Sequence, residues 1–153
     1  MITIYTDGAC IPNPGRGGWG IVAYNSTGDR VYEDWGGRAQ TTNNIMELTA
    51  IVEALRYLKG QEAIVYSDSQ YCVNGLNEWR HRWKKNYWRK GKNANSAPIA
   101  NAELWQELDA LAITSKATFK WIRGHNGNAG NERADALAEL GWQNAPNADR
   151  SAA

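Results

Sequence analysis

Four acidic residues occupy positions from which their carboxylates could meet in one site. Asp7 ends the first predicted strand, and Asp68 ends a later, buried strand. If these two strands are parallel neighbours, both side chains emerge at the carboxyl edge of the sheet, where open α/β sheets form their sites. We expect Glu47 in the first turn of the intervening helix and Asp135 in about the first turn of the last helix.

Converging carboxylates without a histidine or thiol cluster suit Mg²⁺ or Mn²⁺ and disfavour zinc. Without a metal they would repel one another and raise some of their pKa values. A pair of divalent ions about 3.5–4 Å apart can hold both the attacking and the leaving oxygen of phosphoryl transfer. A structural role stays open for each residue taken alone, because an Asp before Gly often belongs to a turn and an acid near a helix start favours the helix dipole.

The elements that must position these carboxylates alternate between strands and helices. Three strands with tight connections (2–7, 19–24 and 30–35, the last ending at Gly36-Gly37) predict an antiparallel meander. A helix capped by Asn43 or Asn44 follows and stops before Gly60. The remaining pattern predicts a buried strand at 63–66, a helical segment over 70–88 broken near its middle, a helix near 104–111, a strand at 117–122 and a helix at 131–140. The pattern indicates one α/β domain.

Composition excludes several classes of protein. The 153 residues are 42% hydrophobic and 22% charged, which is typical of one globular domain. No apolar stretch approaches the ~20 residues that span a bilayer, and the N-terminus lacks the pattern of a signal peptide. Cys10 and Cys72 have no metal-like spacing, so we expect reduced thiols in a cytoplasmic protein.

The net charge of +1 hides an uneven distribution. Residues 80–92 contain seven Lys and Arg and no acid, which leaves ten basic and sixteen acidic residues, a net of −6, elsewhere. Trp79, Trp83 and Tyr87 repeat every four residues through this segment, with Trp88 adjacent. Aromatics among cations can contact deoxyribose and phosphate, although the same stripe can be the buried side of an amphipathic helix.

Four local motifs resemble those of the type 1 ribonuclease H family. They are Tyr5-Thr6-Asp7-Gly8 with Gly17-Gly18-Trp19-Gly20, Thr42-Asn43-Asn44 to Glu47, Tyr66-Ser67-Asp68-Ser69-Gln70, and Arg123-Gly124-His125 with Asn131 to Asp135. The motifs occur in order over about residues 2 to 142. This resemblance implies an α/β ribonuclease H-like fold with a five-stranded mixed sheet, a catalytic domain at 1–142 with a basic handle at about 79–92, and a flexible tail at 143–153.

The resemblance also implies the chemistry. It implies a metal site of Asp7, Glu47, Asp68 and Asp135 with two Mg²⁺ ions, for which Mn²⁺ can substitute. The reaction would be hydrolysis of the RNA strand of an RNA–DNA hybrid, leaving 5′-phosphate and 3′-hydroxyl ends. His125, on a Gly-rich and mobile loop at 124–130, would assist proton transfer or product release.

Amide side chains are suited to reading the RNA sugar, because a 2′-hydroxyl both donates and accepts hydrogen bonds. By resemblance, the residues beside the RNA sugars are Asn13, Asn43, Asn44 and Gln70. Those on the DNA strand are Thr42 and Asn101 at a phosphate and Trp79, Trp83, Lys84, Lys85 and Trp88 in the handle. Near the phosphate position, Gln40 stands where a basic residue would help, and Arg38 lies two places earlier.

Three alternatives remain at this point. The chain could be a resolvase or transposase core with the same carboxylates, a catalytically silent nucleic-acid-binding module, or a released reverse-transcriptase domain. The amides argue against the first, the complete carboxylate set against the second, and the six residues before Asp7 against the third. We expect a cytoplasmic monomer that acts during replication and has no membrane contact and no obligate protein partner.

Overall fold

A five-stranded mixed sheet forms the centre of the computed structural model, which describes residues 1–146. The strands are β1 (Ile2–Cys10), β2 (Gly15–Tyr24), β3 (Arg30–Thr41), β4 (Glu62–Ser67) and β5 (Lys116–Trp121), in the spatial order β3-β2-β1-β4-β5. The first three are antiparallel neighbours, whereas β4 is parallel to both β1 and β5. The predicted mixed sheet is therefore confirmed.

Helices cover both faces of this sheet. They are α1 (Asn43–Leu58), α2 (Gln70–Asn74), a π-helical turn (Gly75–Trp79), α3 (Arg80–Lys85), α4 (Ala102–Ile113) and α5 (Ala129–Gln143). Ile21 belongs to the main core with α1 and α4, while its neighbour Val22 packs with Leu137 of α5. Successive strand residues point to opposite faces, so α1 and α4 lie on one side of the sheet and α5 on the other.

The core beneath α1 and α4 is made of large apolar side chains that are almost completely buried. Leu48, Leu58, Trp105 and Leu108 are each at most 1% exposed. Burying each of them contributes about 1.5–3 kcal/mol relative to exposure. This core fixes the helices against the sheet and so sets the positions of the polar side chains that they carry.

The first three strands are longer than the sequence pattern predicted. β1 continues past Asp7-Gly8 to Cys10, β2 begins at Gly15, and β3 runs through Gly36-Gly37 to Thr41. The predicted strand ends at Gly8 and Gly37 were wrong because these glycines do not break the strands. They have no side chain, and this leaves space for a helix packed on the sheet. A Cβ added at Gly37 would lie 2.0 Å from the carbonyl oxygen of Gly141, so a side chain there would push α5 off the sheet.

Two helix boundaries also differ from prediction. Thr42, not Asn43 or Asn44, caps α1, because its Oγ1 accepts a hydrogen bond from the Ile45 N–H at 3.2 Å. α5 begins two residues earlier than predicted and continues beyond residue 140 to Gln143. The Trp142 Nε1–H donates to the carbonyl of Ile11 at 2.8 Å and ties this last turn to the β1–β2 loop. Of the predicted tail, residues 147–153 lie outside the described part of the chain.

The predicted break within 70–88 is confirmed as the π-helical turn at 75–79. The indole of Trp105 packs against this turn, since a Cβ added at Gly75 would lie 2.2 Å from Trp105 Cη2. The helical segment was predicted too long, because α3 ends at Lys85 and Tyr87 and Trp88 have positive φ angles of 55° and 59°. Tyr87 therefore leaves the Trp79–Trp83 stripe and is 79% exposed. Between residues 1 and 146, no helix is both long and apolar enough to cross a bilayer.

Candidate metal and catalytic centre

Three of the four predicted ligands meet at the carboxyl edge of the sheet. Oxygen atoms of Asp7, Glu47 and Asp68 all lie within 4.8 Å of one another. The parallel register brings this about, because Thr6 of β1 is paired with Ser67 of β4 and the next residue on each is an aspartate. Asp68 comes directly after the end of β4, one residue beyond the strand that it was predicted to end, whereas Asp7 lies within β1 rather than at its end.

Glu47 reaches this edge because α1 crosses β1 at very short distance. A Cβ added at Gly8 would lie 2.4 Å from the backbone nitrogen of Glu47, so only a glycine leaves room for the helix. Glu47 is the fifth residue of α1 and lies in its second turn, not in the first turn as predicted. The difference arises because the Thr42 cap starts the helix at Asn43.

Asp135 approaches the centre from the opposite face of the sheet. Gly20 is the β2 partner of Asp7, and a Cβ added there would lie 2.6 Å from the carbonyl oxygen of Ala134 in α5. This close packing lets the Asp135 side chain approach Asp7 closely enough to raise the pKa of that carboxyl. Asp135 is the seventh residue of α5, beyond the predicted first turn, and it lies outside the three-carboxylate cluster.

Burial and mutual repulsion oppose ionisation of these carboxyls. Burial, followed by the charges of Asp68 and Asp135, raises the pKa of Asp7 to about 8. Burial, followed by the charge of Asp7, raises the pKa of Glu47 well above its ordinary value. Burial also raises the pKa of Asp68, although the nearby His125 counteracts the effect. The centre is therefore a place where negative charge is costly unless a cation accompanies it.

The donor set fits a divalent cation. Glu47 Oε2 is buried and has no hydrogen-bond partner among residues 1–146, so one carboxylate oxygen of this cluster residue is unsatisfied. All three cluster residues offer hard carboxylate oxygens, which Mg²⁺ and Mn²⁺ prefer. A cation bound between them would satisfy Glu47 Oε2 and remove the repulsion that raises the pKa values.

His125 lies on an exposed loop beside Asp68. The loop joins β5 to α5 over 122–128, two residues earlier than the predicted 124–130, and Gly130 belongs to α5. His125 has a positive φ of 55°, and its backbone N–H donates to Asn131 Oδ1 at 3.3 Å. Its charge favours the ionised form of Asp68. The structure therefore places His125 close to Asp68.

The four predicted amides occupy the ends of elements. Asn13 Oδ1 accepts a hydrogen bond from the Asn43 backbone N–H at 3.1 Å, which links the β1–β2 loop to the start of α1. Asn44 is exposed one residue later, and Gln70 is exposed at the first position of α2. Asn13 and Asn43 thus lie together, whereas Gln70 lies two residues after Asp68, at the start of α2.

The predicted phosphate residues Thr42 and Asn101 begin two different helices. Asn101 precedes α4 with a left-handed backbone, and its Nδ2 donates to the hydroxyl of Tyr71 at 3.3 Å. Asn101 also lines a groove of about 510 Å³ whose other walls include Arg38 and Ile45. Thr42 does not line this groove, because its side chain caps α1.

The handle has a packed side and a cationic side. Trp79 and Trp83 lie 5.9 Å apart between ring centroids, and Trp83 packs on the buried Trp105. Lys84 Nζ lies 3.0 Å from the buried carboxylate of Asp109. Trp88, like Trp83, is partly buried against the core. On the other side, a cavity of about 630 Å³ is lined by Trp83, Asn86, Gly91, Ile99 and the cationic residues Arg82, Lys85, Arg89, Lys90 and Lys92.

Two residues that the sequence analysis assigned no role contact the centre. Asn131 is buried at 2% exposure and joins the His125 loop to the start of α5. Trp121 is 45% exposed, and its Nε1–H donates to the carbonyl of Asp68 at 3.0 Å. Asn131 carried a weak sequence signal, since a polar residue in the fourth motif is a candidate for a buried hydrogen bond. Trp121 opens the same motif, Trp121-Ile122-Arg123-Gly124-His125, within a predicted strand, but nothing in the pattern indicated its contact with Asp68.

Comparisons with known proteins agree with this geometry. The chain matches the family described as RNase H over residues 1–143. It is 54% identical over 141 residues to a ribonuclease H of Cupriavidus pinatubonensis and 50% identical over 141 residues to one of Neisseria gonorrhoeae, in each case covering 92% of this chain and 94% of the relative. LC9-RNase H1, a type 1 RNase H of known crystal structure, superposes with a TM-score of 0.82 at 30% identity, covering 96% of this chain and 74% of that one.

Proposed function

The chain belongs to the ribonuclease H family of enzymes, and on that premise we propose that it hydrolyses the RNA strand of RNA–DNA hybrids. The observation that carries the proposal is the cluster of Asp7, Glu47 and Asp68 within 4.8 Å, with Glu47 Oε2 buried and unsatisfied in residues 1–146. A cluster so unfavourable without a cation is suited to a metal-dependent reaction on a phosphate.

We propose that the three clustered carboxylates, with Asp135 beside Asp7, hold two Mg²⁺ ions, for which Mn²⁺ can substitute. When bound, the ions supply the charge that activates water and stabilises the leaving 3′ oxygen, so that 5′-phosphate and 3′-hydroxyl ends result. The protein holds Glu47 and Asp7 in fixed positions on rigid elements. His125, exposed beside Asp68, assists either proton transfer or product release in this proposal.

Hybrid selectivity is assigned to the amides around this centre. Asn13 and Asn43 are joined by a hydrogen bond, and Gln70 lies at the start of α2, two residues after Asp68. Amides offer both donors and acceptors, which matches a ribose 2′-hydroxyl. We therefore propose that Asn13, Asn43, Asn44 and Gln70 contact the RNA sugars on either side of the cut.

We propose that the DNA strand lies across the groove beside Asn101 and across the handle. Gln40 is neutral, and Arg38 lines the groove with Asn101, so Arg38 supplies the cation at this phosphate. In the handle, Lys84 is already paired with Asp109, whereas Arg82, Lys85, Arg89, Lys90 and Lys92 surround the open cavity. Lys85 and the other cavity residues therefore contribute more to phosphate binding than Lys84 does, and Trp79, Trp83 and Trp88 support the surface from below.

A panel of labelled substrates tests the proposal against the same-fold rivals. The enzyme in Mg²⁺ should cut the RNA strand of a hybrid and leave its DNA strand, duplex DNA, duplex RNA and single-stranded RNA intact. Cutting of duplex DNA or of branched DNA would favour a resolvase or transposase activity instead. Mapping the products against alkaline-hydrolysis and nuclease ladders tests the 5′-phosphate and 3′-hydroxyl ends.

The monomeric state and the cytoplasmic location in replication belong to the proposal as well. Sedimentation at micromolar concentration tests the first, with a single species near 17.0 kDa expected. A species of twice this mass at the same concentration would show a dimer and contradict the proposed monomer. Fluorescent tagging of the chromosomal copy tests the location.

A further inference from the structure

Asn131 is a buried polar residue whose two side-chain ends have different surroundings. It is 2% exposed in the first turn of α5. Its backbone N–H donates to Asn128 Oδ1 at 2.9 Å, so the helix cap is made without its side chain. The Asn131 amide group is therefore free to serve another purpose.

The carbonyl end of that side chain holds the His125 loop. Asn131 Oδ1 accepts the backbone N–H of His125 at 3.3 Å, across the loop at 122–128. His125 has a left-handed backbone with φ of 55°, a conformation that non-glycine residues seldom adopt without support. The hydrogen bond from the loop to α5 supplies such support.

The amino end is directed toward the metal cluster. Asn131 Nδ2 is buried without a hydrogen-bond partner among the described residues, and the side chain is close enough to favour the ionised form of Asp68. Gly124 lies directly on the same carboxylate, since a Cβ there would be 2.5 Å from Asp68 Oδ2. A buried donor left unpaired is costly, and proteins retain one mainly where its position has a use.

We infer that Asn131 is a positioning residue that sets His125 against Asp68, with its carbonyl oxygen on the His125 backbone and its amino group toward the carboxylate. The inference rests on the proposed function, because His125 must take part in turnover for its position to matter. The competing explanation is that Asn131 only stabilises the start of α5. In that case replacing Asn131 would lower the stability of the fold, and its effect on kcat would be the same with or without His125.

A double-mutant cycle on kcat separates the two explanations. Asn131→Ala should lower kcat about tenfold with little change in KM, as part of the roughly 10²–10⁴-fold that general acid–base catalysis supplies. In a His125→Ala background the same change should have almost no further effect, because residues that act through one another are not additive. Equal losses in both backgrounds would overturn the inference, as would a His125→Ala enzyme with unchanged kcat.

Asn128→Ala is the matched control. Asn128→Ala removes the side-chain oxygen that accepts a hydrogen bond from the Asn131 backbone N–H at the start of α5. It leaves the Asn131 side chain in place. It should lower the melting temperature about as much as Asn131→Ala while kcat stays near the wild-type value. A kcat loss equal to that of Asn131→Ala would assign the effect to helix stability and contradict positioning.

NMR of the metal-free protein gives a readout that does not depend on activity. The His125 amide resonance should shift in Asn131→Ala and stay near its wild-type position in Asn131→Asp, which keeps the acceptor oxygen. Asn131→Asp should nevertheless lose kcat, because it places a second negative charge toward Asp68. If Asn131→Ala does not fold, Asn131→Ser takes its place in both measurements. An unshifted His125 amide contradicts the inference, whereas an inactive wild-type enzyme contradicts the proposed function instead.

Discussion

The fold places the carboxyl side chains of the centre where their ionisation is unfavourable. Burial and repulsion raise the pKa of Asp7 to about 8 and that of Glu47 well above its ordinary value. The folded protein therefore binds more protons than the unfolded chain between about pH 4 and about pH 8. In the absence of metal, the free energy of unfolding must therefore fall as the pH rises through this window. The carboxyls that cause this loss of stability are the same ones that would bind a cation.

Asp7→Asn should stabilise the metal-free protein at pH 8, because it removes one charge from the cluster. The melting temperature should rise by roughly 2–4 °C for each kcal/mol gained in a domain of this size, and the gain should vanish near pH 4. Thermal melts in EDTA at several pH values measure this. Adding Mg²⁺ should raise the melting temperature of the wild type and have a smaller effect on the variant.

Glu139→Gln is the control for that measurement, because Glu139 is an exposed acid on α5 that is not a member of the cluster. Its melting temperature should follow that of the wild type at every pH. If Asp7→Asn melts at or below the wild-type temperature at pH 8, the account of the raised pKa values is wrong.

At the scale of helices and strands, the site depends on how closely two helices approach the sheet. Gly8 admits α1, which carries Glu47, and Gly20 admits α5, which carries Asp135. Both glycines flank Asp7, one along β1 and one across to β2. The glycine positions therefore determine how far the carboxylates from the two helices are from Asp7.

Gly8→Ala should separate α1 from β1 and weaken metal binding together with stability. The added Cβ would lie 2.4 Å from the Glu47 backbone nitrogen, and overpacking of this kind costs about 1–3 kcal/mol. Calorimetric titration with Mg²⁺ and a thermal melt measure the two effects. Wild-type Mg²⁺ affinity in a folded Gly8→Ala protein would show that the Gly8 contact does not position Glu47.

The handle illustrates how neighbouring lysines can differ in function. Lys84 and Arg80 contact Asp109, and Arg80 is only 14% exposed. Although burial alone would raise the pKa of Asp109, hydrogen bonds from Lys84 and Arg80 lower it. This anchor contributes stability that is present above the ordinary aspartate pKa and is lost as the pH falls through the lowered one.

Lys85→Ala and Lys84→Ala should therefore have different effects on hybrid binding. Lys85→Ala should reduce the slope of log K against log salt by about 1, because one phosphate contact is lost. Lys84→Ala, the matched control in the next position, should change the slope much less and lower the melting temperature instead. Binding is measured with a non-cleavable hybrid in Ca²⁺ or EDTA at several salt concentrations. An equal fall in slope for both variants would contradict the assigned division of the handle.

For the molecule as a whole, residue patterns predict element type better than element ends. Alternation and helical spacing predicted the order of strands and helices, because both report which face of a local segment is buried. The ends were missed where glycine was interpreted as a breaker. Gly8 and Gly37 provide space for a helix that is distant in sequence, and no local pattern contains that information.

The same difference between local sequence pattern and long-range packing applies to the residues of the site. The positions of Asp7 and Asp68 after aligned residues of parallel strands could be inferred from the sequence, with the strand pairing as an assumption. The approach of Asp135 and the hydrogen bond of Asn131 to the His125 loop depend on how α5 packs. The separation of Lys84 from Lys85 depends on Asp109, which is far away in the sequence and buried.

The most direct test of the central claim compares wild type and Asp7→Asn on a hybrid labelled in its RNA strand. The wild type should cut the RNA in Mg²⁺ and stop in EDTA, while Asp7→Asn should bind the hybrid with near wild-type affinity and leave it intact in Mg²⁺. Undiminished cleavage by a folded Asp7→Asn protein, or wild-type cleavage that persists in EDTA, would contradict the assignment of catalysis to this carboxylate centre.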